Sequence, residues 1–318
     1  PKNYDPQGDR KYPAYYWING FGGDHHFAHF FKRRWGRTPY SDRIIRVIPN
    51  PLCYSGHHVF ADSANNGPRG TAFVEEFIPK LEEEYPIVAD SSARFLGGHS
   101  SGGWSSLWLQ IQHPDFFGGT WSTAPDPVDF RAFQTVNIYA EDANMYRDEN
   151  GSRRPLARMN DKVAIWCRDF AQMEEVIGDG GQLRSFEWVF SPKGPNGRPK
   201  PLFDRDTGEI NPKIAHAWKK YDIRRVLDNN WDMLGPKLNG KLHIFAGGRD
   251  SFFLEDAVQL LRESLNNRDA DIVIKIFPDA DHGSFLTSEL LERIDREMWN
   301  AFREHHPKHA KTFKPVNE

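Results

Sequence analysis

Phe95-Leu96-Gly97-Gly98-His99-Ser100-Ser101-Gly102-Gly103-Trp104-Ser105-Ser106 is the stretch around which the chain is organised. Its centre, Gly98-His99-Ser100-Ser101-Gly102, fits the pattern G-x-S-x-G; the apolar pair before it reads as a strand and the amphipathic run after it as a helix. A strand that turns this sharply into a helix holds its central residue in a strained conformation, and small residues at the two Gly positions let the flanking backbones approach. Ser100 then stands at a helix N-terminus as a candidate nucleophile. The unpaired N–H groups there, that of Ser101 among them, can face an oxyanion. Three fixed residues in five arise by chance in many chains, so the flanking elements and the downstream partners carry the reading.

Upstream, residues 12–19 (YPAYYWIN) are β-prone and feed Gly20-Phe21-Gly22-Gly23-Asp24, followed by the helix-like HHFAHFFKRRW. A Gly-rich loop after an early strand is where the second oxyanion donor belongs, which makes the Phe21 N–H the candidate. Asp24, His25, His26 and His29 invite a metal reading because His25 and His29 are one helical turn apart. No further ligand stands in a recognisable motif, so a polar helix start is expected, with no metal and no cofactor.

Residues 43–49 (RIIRVIP) form the next expected strand, and 51–69 a polar loop too long for a plain connection. Val74, Phe77, Ile78, Leu81 and Tyr85 mark one face of a helix over 71–85, kinked at Pro79. After the elbow, Trp104, Leu107, Trp108 and Ile111 repeat at helical spacing; Trp104, nearest Ser100, is the one assigned to the substrate cleft. Residues 118–123 read as another strand. The βα rhythm then stops over 130–236, where helices are expected near 161–177 and 212–227, and it resumes with a strand over 241–246, a helix over 255–265, a strand over 271–277 and a closing amphipathic helix. Alternating strands and helices imply an α/β fold with a mostly parallel sheet covered on both faces, and its chemistry at the carboxyl ends of the strands.

Asp250, in Gly247-Gly248-Arg249-Asp250, and His282, in Asp279-Ala280-Asp281-His282-Gly283, lie just past two of those strand ends, as Ser100 does. The order Ser, Asp, His is that of the α/β-hydrolases. A serine alcohol is a poor nucleophile at neutral pH, so a histidine must take its proton and a carboxylate must orient that histidine and stabilise the imidazolium. Glu255 and Asp256 are rivals for the acid but fit the opening of a helix, where carboxylates favour the dipole. Asp279 and Asp281 share one loop with His282, and the elbow is expected to point His99 away.

With 318 residues, 38% hydrophobic, 27% charged and a formal net charge of −3, the composition carries no nucleic-acid footprint. No apolar run approaches the ~18 residues of a membrane span. Cys53 and Cys167 form neither a metal spacing nor a disulfide framework and are expected as free thiols. The first residues show no signal peptide and no initiator Met, which suggests a processed chain and leaves localisation unread.

The segments YPAYYWINGFGG, LGGHSSGGW, HPDFFGG, IFAGGRD and DADHGSF, in this order, resemble the putative esterase family of α/β-hydrolases, which includes esterase D, feruloyl esterases, enterochelin esterases and mycolyltransferases. The resemblance covers residues 1 to about 125 and 238 to 305. It implies an α/β-hydrolase fold, a nucleophile at Ser100, an acid at Asp250, a base at His282, and oxyanion donors at Phe21 and Ser101; the break and return of the βα rhythm make 130–236 an expected cap inserted into a single domain over 1–318. Family members often carry His where this chain has Asn19, and their first strands normally precede a segment like this chain's start, so the chain is expected to begin inside the domain.

The expected activity is serine ester hydrolysis on a small-molecule or carbohydrate-linked or phenolic ester. Acyl transfer with the same trio, or ligand binding without catalysis, are the alternatives. Trp104, Trp188, Trp218 and Trp231 are candidate stacking platforms, and substrate choice is expected to reside in 130–236 and 51–69. Oligomeric state is not readable.

Overall fold

The computed structural model describes residues 1, 4, 8–29, 33, 36–266 and 268–314. Six strands, β1 (Ala14–Ile18), β2 (Ile45–Val47), β3 (Arg94–His99), β4 (Gly119–Thr123), β5 (Leu242–Gly247) and β6 (Ile272–Phe277), form one sheet in the order β6-β5-β4-β3-β1-β2. Every neighbouring pair is parallel. Both faces of the central strands are covered: all five residues of β1 and of β4 are buried, the latter despite its two threonines and serine.

From β1 the chain moves outward to β2 and then returns to place β3 on the other side of β1. That reversal opens a crevice at the carboxyl ends of β1 and β3, the place where open α/β sheets bind ligands. The loop bearing Phe21 leaves one side of it and the turn bearing Ser100 the other.

Helices α1 (Ile78–Glu84), α2 (Ser101–Gln112), α3 (Cys167–Ile177), α4 (Gln182–Phe190), α5 (Pro212–Trp218), α6 (Ile223–Leu238), α7 (Leu254–Leu265) and α8 (Ser288–His305) complete the frame. Leu291, Ile294, Met298 and Phe302 of α8 pack with Tyr15, Phe95, Trp121 and Phe245 on one face of the sheet. Leu107 and Ile111 of α2 share a cluster with Val258 and Leu261 of α7 and with the inserted segment. The helix expected over 71–85 is an α-turn at Arg69–Ala72, a π-turn at Phe73–Phe77 and then α1. Pro79 offers no N–H and crowds the preceding turn, and the wider π-turn beside it absorbs that conflict.

Residues 124–241 lie between β4 and β5, which pair directly with each other. The helix expected from 161 begins only at Cys167: Lys162–Trp166 is instead a strand paired antiparallel with Pro155–Met159. Asn160 and Asp161, at φ 49° and 61°, make its two-residue turn of the kind that suits a hairpin twist. Helix α4 was not anticipated, and α6 runs past Leu227 to Leu238 with a break at Asn230. In the turn over 204–208, Asp204 Oδ1 accepts the N–H groups of Asp206 and Thr207 and Gly208 sits at φ 81°, so the turn caps itself. Cys53 and Cys167 are both free thiols. The helix-like run after His29 falls largely on residues outside those described, and His25–Phe27 forms a 3₁₀ turn capped by Asp24.

Candidate active site

Ser100 sits between β3 and α2 at φ 58°, ψ −123°, a conformation that L-residues avoid and that persists only where the surroundings impose it. The flanking glycines impose it. A Cβ on Gly98 would run into the Gly102 carbonyl, and one on Gly102 into the Ile18 carbonyl of β1. The strand, the helix and β1 therefore meet at backbone distance only because Gly98 and Gly102 carry no side chains.

His282, in the loop after β6, uses Nδ1–H to donate to Asp250 Oδ2 at 2.7 Å. That bond commits Nδ1 to the carboxylate and leaves Nε2 as the ring atom open to the cavity. Asp250, in the loop after β5, is fully buried, and its other oxygen Oδ1 accepts the Phe252 N–H at 2.8 Å. Phe252 in turn stands edge-on to the His282 ring, centroids 4.9 Å apart. Both carboxylate oxygens are thus committed, one to the imidazole and one to its own turn. The rivals lie elsewhere: Glu255 pairs with Arg158, Asp256 is exposed on the first turn of α7, and Asp281 accepts the N–H groups of Gly283 and Ser284.

Ser100 and His282 face one cavity of about 510 Å³, within the range of small-molecule sites. Its apolar wall is Trp17, Phe21, Phe27, Phe252, Leu286 and Leu291; Asn19, His99 and Gln182 supply polar edges. The loop after β1 closes with Gly23 N–H donating to the Gly20 carbonyl at 3.0 Å, and Gly22 is at φ 80°, as a type II turn needs at its third position. A Cβ on Gly20 would come within 3.0 Å of Ser100 Cβ, so this turn lies against Ser100. Among the described residues the N–H groups of Phe21 and Ser101 have no protein acceptor. Two unspent donors beside a hydroxyl are what a tetrahedral oxyanion requires.

The sequence matches the model of the putative esterase family over residues 1–283. The chain belongs to that family. It is an esterase with the α/β-hydrolase fold. Among solved structures, this esterase is similar to a ferulic acid esterase (14% identity, 92% of this chain and 87% of the other, TM-score 0.56). It is also similar to a fluorophosphonate-binding serine hydrolase of Staphylococcus aureus (13%, 93% and 87%, 0.53) and to an S-formylglutathione hydrolase of Agrobacterium tumefaciens (14%, 95% and 84%, 0.50). No curated protein matches the sequence significantly.

One residue of the site escaped the sequence reading. Asp126, just past β4, is buried beneath Ser100: Ser100 Oγ–H donates to its Oδ1 at 3.3 Å and Ser101 Oγ–H to its Oδ2 at 2.5 Å, while its own N–H donates to the Ser100 carbonyl at 3.1 Å. Burial pushes its carboxyl up to about 6, against the opposing pull of the Ser101 hydroxyl and of His282. In the esterase as it stands, then, the Ser100 hydroxyl rests on Asp126. The only signal in the sequence was an Asp soon after a strand end, which many turns share.

Two other expectations are corrected. His99 is not turned away: it lines the cavity with its ring 4.6 Å from that of His282, and its Nδ1 is 3.1 Å from Thr123 Oγ1. Trp104 is 1% exposed, stacked on Trp108 and packed against Phe190, and does not line the cavity, because α2 points its side chain under the inserted segment. Trp218 is likewise core, and Trp188 donates to Asp179. Asp24, His25 and His26 do bring one ligand atom each within 4.8 Å of one another, at an exposed rim.

Proposed function

We propose that Ser100, His282 and Asp250 act as a catalytic triad on a phenolic or carbohydrate-linked ester. The single observation carrying this reading is the 2.7 Å bond from His282 to a fully buried Asp250 in the same cavity that receives Ser100 from a left-handed elbow. Ser100 Oγ leaves Asp126, passes its proton to His282 Nε2 and bonds to the ester carbon, while the N–H groups of Phe21 and Ser101 receive the charge on the carbonyl oxygen. Collapse breaks the bond to the alcohol, which leaves with the proton from His282. Water then repeats the sequence on the acyl-enzyme and releases the acid.

The substrate class rests on the wall. Four aromatic rings, Trp17, Phe21, Phe27 and Phe252, bound the cavity, a surface suited to a planar ring. A ferulic acid esterase among the structural relatives is consistent with that choice. A fluorophosphonate probe followed by peptide mapping tests the nucleophile: the label is expected on the peptide bearing Ser100 and absent from Ser100→Ala, which should lose roughly three or more powers of ten in turnover. A label elsewhere overturns the assignment.

A further inference from the structure

The loop over 51–69 does not line the cavity, yet it holds the most constrained histidines of the molecule. His57 and His58 are both buried, and burial depresses them, His57 to about 4 and His58 to about 3. Each ring accepts the N–H two residues ahead at its Nδ1, Val59 to His57 at 2.9 Å and Phe60 to His58 at 3.1 Å. Val59 and Phe60 stand at φ 45° and 50°. A β-branched residue there is a true outlier, and such strain gathers where a structure must fix something.

What it fixes is visible at the other nitrogen. With Nδ1 accepting, Nε2 of His57 carries the proton and donates to the Asn19 carbonyl at 2.9 Å. Asn19 is the root of the turn that bears Phe21. Its side chain closes that turn, Nδ2 donating to the Asp24 carbonyl at 2.7 Å and Oδ1 accepting from Trp17 Nε1 at 3.2 Å. The same Asn19 carbonyl lies against α2, since a Cβ on Gly102 would stand 2.7 Å from it. His57 therefore grips the peptide at which the two halves of the oxyanion site, the Gly20–Gly23 turn and the start of α2, are pressed together.

We infer that His57 is a positioning residue, which acts through Asn19 to hold the Phe21 N–H in register with the Ser101 N–H. The inference rests on the reading of those two groups as the oxyanion donors. A donor displaced by a fraction of an ångström stabilises the transition state less while leaving ground-state binding nearly unchanged, so the loss belongs in kcat.

The test compares two amides. Asn at position 57 reproduces the Nδ1 acceptor for Val59 but cannot reach Asn19; Gln reaches it with an N–H. His57→Asn is expected to lower kcat on p-nitrophenyl acetate by about 10- to 100-fold, with KM within about 2-fold, and to weaken a boronic acid inhibitor by the same factor. His57→Gln should stay within about 3-fold of the parent in all three. Equal losses in both variants tracking a fall in Tm, or an unchanged kcat in His57→Asn, overturn the proposal. Should His57→Asn not fold, His57→Gln decides: a native Tm with kcat down more than about 30-fold overturns it. Gly20→Ala separates the underlying reading. If Gly20→Ala loses kcat and inhibitor affinity while His57→Asn does not, the donors stand and the role of His57 falls; if neither variant moves them, the donor reading itself falls.

Discussion

Two carboxylates face Ser100 and His282, and their environments differ. Asp250 spends both oxygens on His282 and on its own turn, so Asp250→Asn, which can still hydrogen-bond the ring but favours the wrong tautomer, is expected to lower kcat/KM by ~10³–10⁴, whereas Asp256→Asn on the exposed turn of α7 should leave it within about 2-fold. Steady-state kinetics on one activated ester checks both. Asp126 is held up to about 6 by burial, against ~3.9 for an unfolded Asp. Between those values the folded state binds the proton that the unfolded state has released, so the contribution of this group to stability falls as pH rises from about 4 to about 6. Asp126→Asn cannot titrate; its Tm relative to the parent should rise across that window and stay level above it. A relative Tm that is flat or falls with pH contradicts the buried-acid description. Ser100, Asp250 and His282 were legible because chemistry fixes their types and the strand ends fix their places. Asp126 and His57 were not, because each meets the site only through residues 25 to 38 positions away in sequence.

At the scale of elements, what was legible followed period and punctuation. Most of the six strands appeared as β-prone or apolar runs and the major helices as stripes, although β4, GTWST, is largely polar in type despite full burial. The hairpin at 155–166 was misread because KVAIW continues the apolar spacing of α3, and the Asn160-Asp161 turn that separates them is a weaker signal than Asn-Gly. The elbow is where an element-level prediction is sharpest. Gly102→Ala drives a methyl into the Ile18 carbonyl and must separate β1 from α2, so activity is expected to fall by at least ~10²-fold with a lower Tm. Gly283, with nothing within 4 Å of a Cβ and no positive φ, should accept Ala without change in Tm. Thermal melts and ester hydrolysis on the pair check the contrast; a Gly102→Ala enzyme of parental rate would mean that the close approach is not needed.

For the whole molecule, the question is which part of the chain chooses the substrate. The sequence pointed to the long insertion and to the loop over 51–69, yet among the described residues around the cavity only Gln182, the first of α4, comes from either. The rest rise from the carboxyl edge of the sheet: Trp17, Phe21 and Phe27 after or within β1, Phe252 after β5, Leu286 and Leu291 beyond β6. The insertion instead buries its aromatics on itself and on α2, with Phe130, Phe133, Phe190 and Trp218 in mutual contact, which is the behaviour of a core and not of a cleft. Its turn at Gly194–Gly197 closes on its own backbone. Selectivity between a feruloyl ester and an acetyl ester of the same alcohol should therefore follow the edge loops. Removing one ring by Phe252→Ala or Phe27→Ala is expected to lower kcat/KM for the aromatic ester by roughly 5- to 50-fold more than for the acetyl ester, the range of a lost aromatic contact. Replacing residues 194–197 by a two-residue turn should leave the ratio within about 2-fold, and Gln182→Ala should move it by less than either ring. The ratio of kcat/KM values, measured on all four variants against the parent, is the deciding quantity. A ratio that shifts with the 194–197 turn and ignores both rings would return substrate choice to the insertion.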